Sequence, residues 1–73
     1  MNPIPGRQYT VIQGDNLELI SIKAYGNGER WPVIFRANQM VLKSTDKKFV
    51  QEGTKINIPR LPEFEALRDA QTR

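Results

Sequence analysis

Neither cysteine nor histidine occurs in this chain of 73 residues. Disulfides are thereby excluded, as are the common zinc sites built on thiolate and imidazole, together with the usual thiol nucleophile and the usual base of a catalytic triad. No metal and no cofactor are expected. Long apolar runs are missing too. Nothing approaches the roughly 18 apolar residues of a membrane span, and the N-terminal residues lack the basic start and the apolar core of about 7–15 residues that mark a secretory signal peptide. A membrane partner is not expected, and the chain reads as one that stays in the cytoplasm where it is made.

Charge of one sign is not concentrated. Eleven Lys and Arg stand against eight Asp and Glu, a net +3, and only Lys43, Lys47 and Lys48 lie close together. Nucleic-acid binders interleave aromatic residues with a denser basic stripe, so this cluster reads as a solvated loop and nucleic acid is not expected as a partner. A single domain of this size rarely reaches more than about 3–5 kcal/mol of net stability unaided. A partner surface would help it.

What is present is a strand, two amphipathic helix patterns and a second strand. Residues 1–8 carry Pro3, Pro5 and Gly6 and read as an extended N-terminal arm. Residues 9–12, Tyr-Thr-Val-Ile, suit a short strand. Gly14 permits a tight exit, and Asp15 or Asn16 can accept hydrogen bonds from the first free amides of a helix. From Leu17 onward, Leu17, Ile20, Ser21 and Ala24 share one face, with Gly26 as the stop. After the connector 26–28, Pro32 fits a first helical turn, and Trp31, Ile34, Phe35 and Asn38 share a face whose two rings are expected to supply most of the core. The connection 39–53 is long for so small a domain and has Val41, Leu42, Phe49 and Val50 as apolar anchors. Residues 54–58 alternate Lys55 and Asn57 with Ile56 and Ile58, the period of a half-buried strand that Pro59 ends. Residues 60–73 form an appendix with Phe64 and Leu67 on one side of a short helix. The division is therefore an arm over 1–8, a domain over 9–59 and an appendix over 60–73.

The residues Tyr9-Thr10-Val11, Gly14-Asp15, Leu17, Ile20, Tyr25-Gly26, Trp31-Pro32, Ile34, Ala37-Asn38 and Gly53-x-x-Ile56-x-Ile58-Pro59, in this order and spacing, resemble the LysM domain signature. The resemblance implies an α+β fold of βααβ type, a two-stranded antiparallel sheet covered by two helices, here with an extended N-terminal arm and a short C-terminal helical appendix. It also implies a shallow groove for N-acetylglucosamine-containing glycans, peptidoglycan or chitin. Carried over, that groove lies between Gly14, Asp15, Asn16 and Leu17 on one loop and Phe49, Val50, Gln51, Glu52 and Gly53 on the other. Backbone groups and short polar side chains could pair with an acetamido group there. The sequence departs from the pattern at this groove: Asn16 replaces a usual Thr, Glu52 a frequent Pro, Thr54 a frequent Gln, and Lys47-Lys48 is inserted.

A second departure concerns the outer face of the first helix, where Leu19 and Ile22 stand roughly opposite the core face and are expected to be exposed. With Phe64 and Leu67 they make a candidate protein interface. The chain is similar to the small stand-alone LysM proteins of contractile phage tails and phage-derived injection systems, which implies tube, hub or baseplate proteins as partners and assembly of the tail in the bacterial cytoplasm. The alternative is a module for peptidoglycan glycan strands. No enzyme is expected, because Asp15, Glu18 and Glu29 fall at turn and helix positions that offer no buried carboxylate pair.

Overall fold

A computed structural model describes residues 2–42 and 48–61. Strand β1 (Arg7–Thr10) leads through a loop to helix α1 (Leu17–Tyr25), a single 3₁₀ turn (Gly28–Arg30) and helix α2 (Trp31–Ala37), and the chain returns as strand β2 (Lys55–Ile58). The strands pair antiparallel, Arg7 facing Ile58, Gln8 Asn57, Tyr9 Ile56 and Thr10 Lys55. This is the expected α+β architecture, a LysM-like βααβ fold with one two-stranded sheet covered by two helices. β1 begins two residues earlier than the β-rich composition suggests and ends at Thr10, because hydrogen bonding to β2 starts as soon as the Pro5-Gly6 turn has reversed the arm. Past the strand, Val11 still donates to the Thr54 carbonyl at 2.9 Å.

Local chemistry sets the helix ends. Asn16, in extended backbone conformation, accepts from the Leu19 amide through its side chain at 2.7 Å and so caps α1. At the other end Gly26 adopts φ 75°, where a side chain would be strained, and its amide donates to the Ile22 carbonyl. The connector read at 26–28 runs directly into a 3₁₀ turn, Gly28–Arg30, capped by the Asn27 side chain. Pro32 sits in the first turn of α2, where its missing N–H has no partner to lose.

The core is aliphatic. Leu17 and Ile20 of α1, Ile34 of α2, and Ile56 and Ile58 of β2 are buried with Tyr9, Val11 and Val50, while Trp31 and Phe35 lie half-buried against this cluster. The expectation that the two rings supply most of the core is corrected accordingly. They meet edge-on, centroids 6.2 Å apart, and each keeps part of its surface open. The alternation over β2 is as expected, Ile56 and Ile58 in, Lys55 and Asn57 out. Ser21 is buried and its Oγ donates to the Asn27 carbonyl at 2.5 Å. The Tyr25 hydroxyl donates to the Pro59 carbonyl, tying the end of α1 to the end of β2.

Asn38, at the end of α2, is the polar centre of the fold. Its Nδ2 donates to the Ile34 carbonyl at 2.7 Å and to the Asn57 carbonyl at 2.8 Å, and its Oδ1 accepts from the Asn57 amide at 2.7 Å. The side chain thus pairs with β2 as a neighbouring strand would and closes that edge of the sheet. Of the appendix, Arg60 is exposed and Leu61 is buried, while residues 62–73, with Phe64 and Leu67, lie outside the described residues, as do Lys43 and Lys47.

Candidate functional site

Two loops expected to form one surface do converge. The Leu17 amide donates to the Lys48 carbonyl at 2.8 Å, and the Gly53 amide donates to the Val11 carbonyl at 2.8 Å. Gly53 adopts φ 88°, a conformation that lets the chain double back onto Val11 before β2 begins. Lys48, read from sequence as part of a solvated basic cluster, reaches across: its Nζ donates to Glu18 Oε2 at 3.0 Å and stands 5.6 Å from the centre of the Trp31 ring.

The candidate groove residues divide by burial. Gly14, Asn16, Gln51, Glu52 and Gly53 are exposed, and Phe49 keeps 51% of its surface open, an aromatic face at the rim. Leu17 and Val50 belong to the core and offer a groove only their backbone. Asp15 is turned inward, its side chain 1% exposed. Lys23 Nζ donates to its Oδ1 at 2.8 Å, the Tyr9 hydroxyl donates to its Oδ2 at 2.5 Å, and the Ile12 amide donates to Oδ2 at 3.2 Å. Of the two residues that sequence offers as a cap, Asn16 therefore serves α1, and Asp15 joins β1, the loop and α1 into one network.

Lys23 is the residue that sequence reasoning misses. It lies eight positions beyond Asp15 and two turns along α1, so no short motif links them. Its ammonium also approaches the Tyr9 hydroxyl at 3.2 Å and lies 5.5 Å from the centre of that ring.

Burial alone would raise the Asp15 pKa, but the hydrogen bonds from Lys23, Tyr9 and the Ile12 amide, with the Lys23 charge, outweigh it and hold the carboxyl below its ordinary range. The Asp15 bond raises Lys23, and burial followed by the Asp15 contact raises Tyr9. Burial pushes Tyr25 up to about 12. The signs follow. The fold favours ionised Asp15, so its contribution is complete above the ordinary carboxylate pKa of about 3.9 and is lost as pH falls below it. The fold favours charged Lys23 and neutral Tyr9 and Tyr25, so their contributions are complete below about pH 10 and are lost above it, for Tyr25 as pH rises through about 12. Urea midpoints measured against pH should therefore show a plateau through neutrality with an acid and an alkaline decline. Asp15→Asn should lower the plateau, flatten the acid decline and weaken the part of the alkaline decline that Lys23 and Tyr9 supply, leaving the part due to Tyr25. An unchanged acid limb would show that other carboxylates control it.

Leu19 and Ile22 are 39% and 48% exposed on the outer face of α1, where the spacing places them. Among the described residues no cluster of acidic, histidine or cysteine side chains could hold a metal ion, and no helix is long and apolar enough to cross a membrane.

Over 51 residues, 70% of its length, the chain is 45% identical to Potassium binding protein Kbp of Escherichia coli O6:H1. It spans about a third of that relative, 33% of its length. No family model matches the chain. No solved structure matches it either. The fold and this similarity together fit a small module of binding type.

Proposed function

We propose that this chain is a non-enzymatic LysM domain that binds protein, a structural component at the tube, hub or baseplate of a contractile phage tail or a related injection system. The observation that carries the protein-binding part is the outer face of α1. Leu19 and Ile22 stand exposed on a helix whose core face is already complete, and exposed apolar residues that persist on a small domain favour a partner. The place in a tail rests on the resemblance of the ordered motif set, from Tyr9-Thr10-Val11 through Trp31-Pro32 to Ile58-Pro59. Potassium binding, the property in the relative's name, is not transferred to a chain that spans a third of that protein.

A second reading, a module for peptidoglycan or chitin, draws on the convergence of the two loops and on the open face of Phe49 at their rim. Weighing against it, the Asp15 carboxylate is already taken by Lys23 and Tyr9. A single shallow site has no avidity to strengthen it.

The experiment is capture from the producing lysate by the full chain and by a variant carrying Leu19→Ser with Ile22→Ser. The variant should melt within a few degrees of the parent, because exposed apolar-to-polar changes lie within about 0.5 kcal/mol. At a buried partner surface each lost side chain should instead cost on the order of 1–3 kcal/mol. Tail tube, hub or baseplate proteins that the parent captures and the variant loses would support the proposal. Sacculus fragments captured equally by both would establish the glycan reading in its place.

A further inference from the structure

The sheet has two outer edges, and among the described residues only one is closed. Asn38 occupies the β2 edge by bonding both backbone groups of Asn57. Gln8 stands opposite Asn57 in the register, and the Val11 amide faces β2. In an antiparallel pair, alternate residues turn their amide and carbonyl groups inward and outward. Gln8 and Thr10 therefore present theirs away from β2, and no described residue takes them up.

A groove of about 350 Å³ follows this side, lined by Asn2 and Ile4 of the arm, by all of β1 and by Ile12. Successive strand residues point to opposite faces, so a groove touching every residue of β1 runs along the edge and not over a face. Ile4 and Ile12, 48% and 50% exposed, stand toward its two ends. Arg7 also lines it and is exposed, and among the described residues it makes no ion pair and no acidic residue lines the groove.

We propose that the open edge of β1 accepts an extended peptide segment of a partner protein as a third strand. The segment places a carboxylate against Arg7 and apolar side chains against Ile4 and Ile12. Main-chain bonds to Gln8 and Thr10 supply the attachment, and the flanking side chains supply selectivity. A second copy of this chain fits less well. It would bring another molecule of charge +3 against an edge already lined by Arg7, and a four-residue edge falls well short of the roughly 1,200 Å² that a stable pair buries. This edge is separate from the outer face of α1, so either surface can fail its test without the other.

A random-peptide display library selected on the immobilised full chain tests the idea, with the selected peptides synthesised and titrated into nitrogen-15-labelled protein. The expected peptides alternate apolar residues and carry Asp or Glu, and the largest amide shifts fall on Gln8 and Thr10. N-methylation of Gln8 in a chemically synthesised chain removes the outward donor while keeping the side chain. It should weaken binding by about tenfold or more with the melting temperature retained. Arg7→Glu, a surface change that leaves the donor intact, should weaken the acidic peptides selectively, and the difference should shrink at high salt. Binders that shift only the loops or α1, or the absence of any binder, would overturn the proposal. Self-association of the peptide-free protein through the Gln8 and Thr10 amides would overturn it in favour of a second copy.

Discussion

Asn38→Ala is expected to cost about 2–4 kcal/mol, most of the roughly 3–5 kcal/mol that a domain of this size commands. The side chain is buried and makes three hydrogen bonds, two of them to Asn57 in β2. Truncation leaves a cavity and strands the backbone groups of Asn57 at an edge that no other described residue closes. Each buried polar group left without a partner costs about 1–3 kcal/mol, partly recovered where water can reach it. Thermal melts should show a partly unfolded protein at room temperature. Asn38→Asp separates shape from hydrogen bonding. At neutral pH it keeps an acceptor for the Asn57 amide, but it buries a charge against the carbonyls of Ile34 and Asn57, so it should be no better than alanine. At mildly acid pH the protonated carboxyl can donate once, and part of the stability should return. A melt within a few degrees of the parent for both variants would mean that β2 needs no partner on that edge.

Ile34→Ala should destabilise the domain more than Trp31→Ala, although it removes far fewer atoms. Ile34 is fully buried in the cluster to which both strands contribute core residues, and such truncations cost about 2–5 kcal/mol. Removing a fully buried Trp costs about 3–5 kcal/mol, but Trp31 is only half-buried. Its edge contact with Phe35 and the Lys48 ammonium over its ring add modest amounts. Circular dichroism should show Trp31→Ala still melting cooperatively and Ile34→Ala largely unfolded. The reverse order would move the centre of the core to the first turn of α2.

The contrast between these two positions shows what a periodic pattern conveys. Spacing put Trp31, Ile34, Phe35 and Asn38 on one side of a helix, and that is where they are. Depth is a different property. It depends on how a helix of seven residues packs over a sheet of two strands, and there Ile34 is fully buried while Trp31 in the first turn is only half-buried. Size therefore misled: the largest side chains on the face are not the most buried. Leu19 and Ile22 were legible for a simpler reason, since a residue opposite a complete core face has nothing in so thin a domain to cover it.

The order of elements, the polarity of each face and the helix ends are legible along the chain, because caps, glycine stops and alternation act within a few residues of where they are written. Gly26, Asn16, Pro32 and the alternation from Lys55 to Ile58 belong to that class. What the polar side chains do is set by how the elements pack together. Asp15 reads as a cap or a ligand until the fold brings Lys23 and Tyr9 to its two oxygens, and Asn38 reads as one more residue on the shared face of the second helix until β2 arrives beside it, 19 residues later in the chain. Both depend on contacts between elements that are distant in sequence. A carboxylate or an amide takes its role from the partners that surround it, and those partners are chosen by packing.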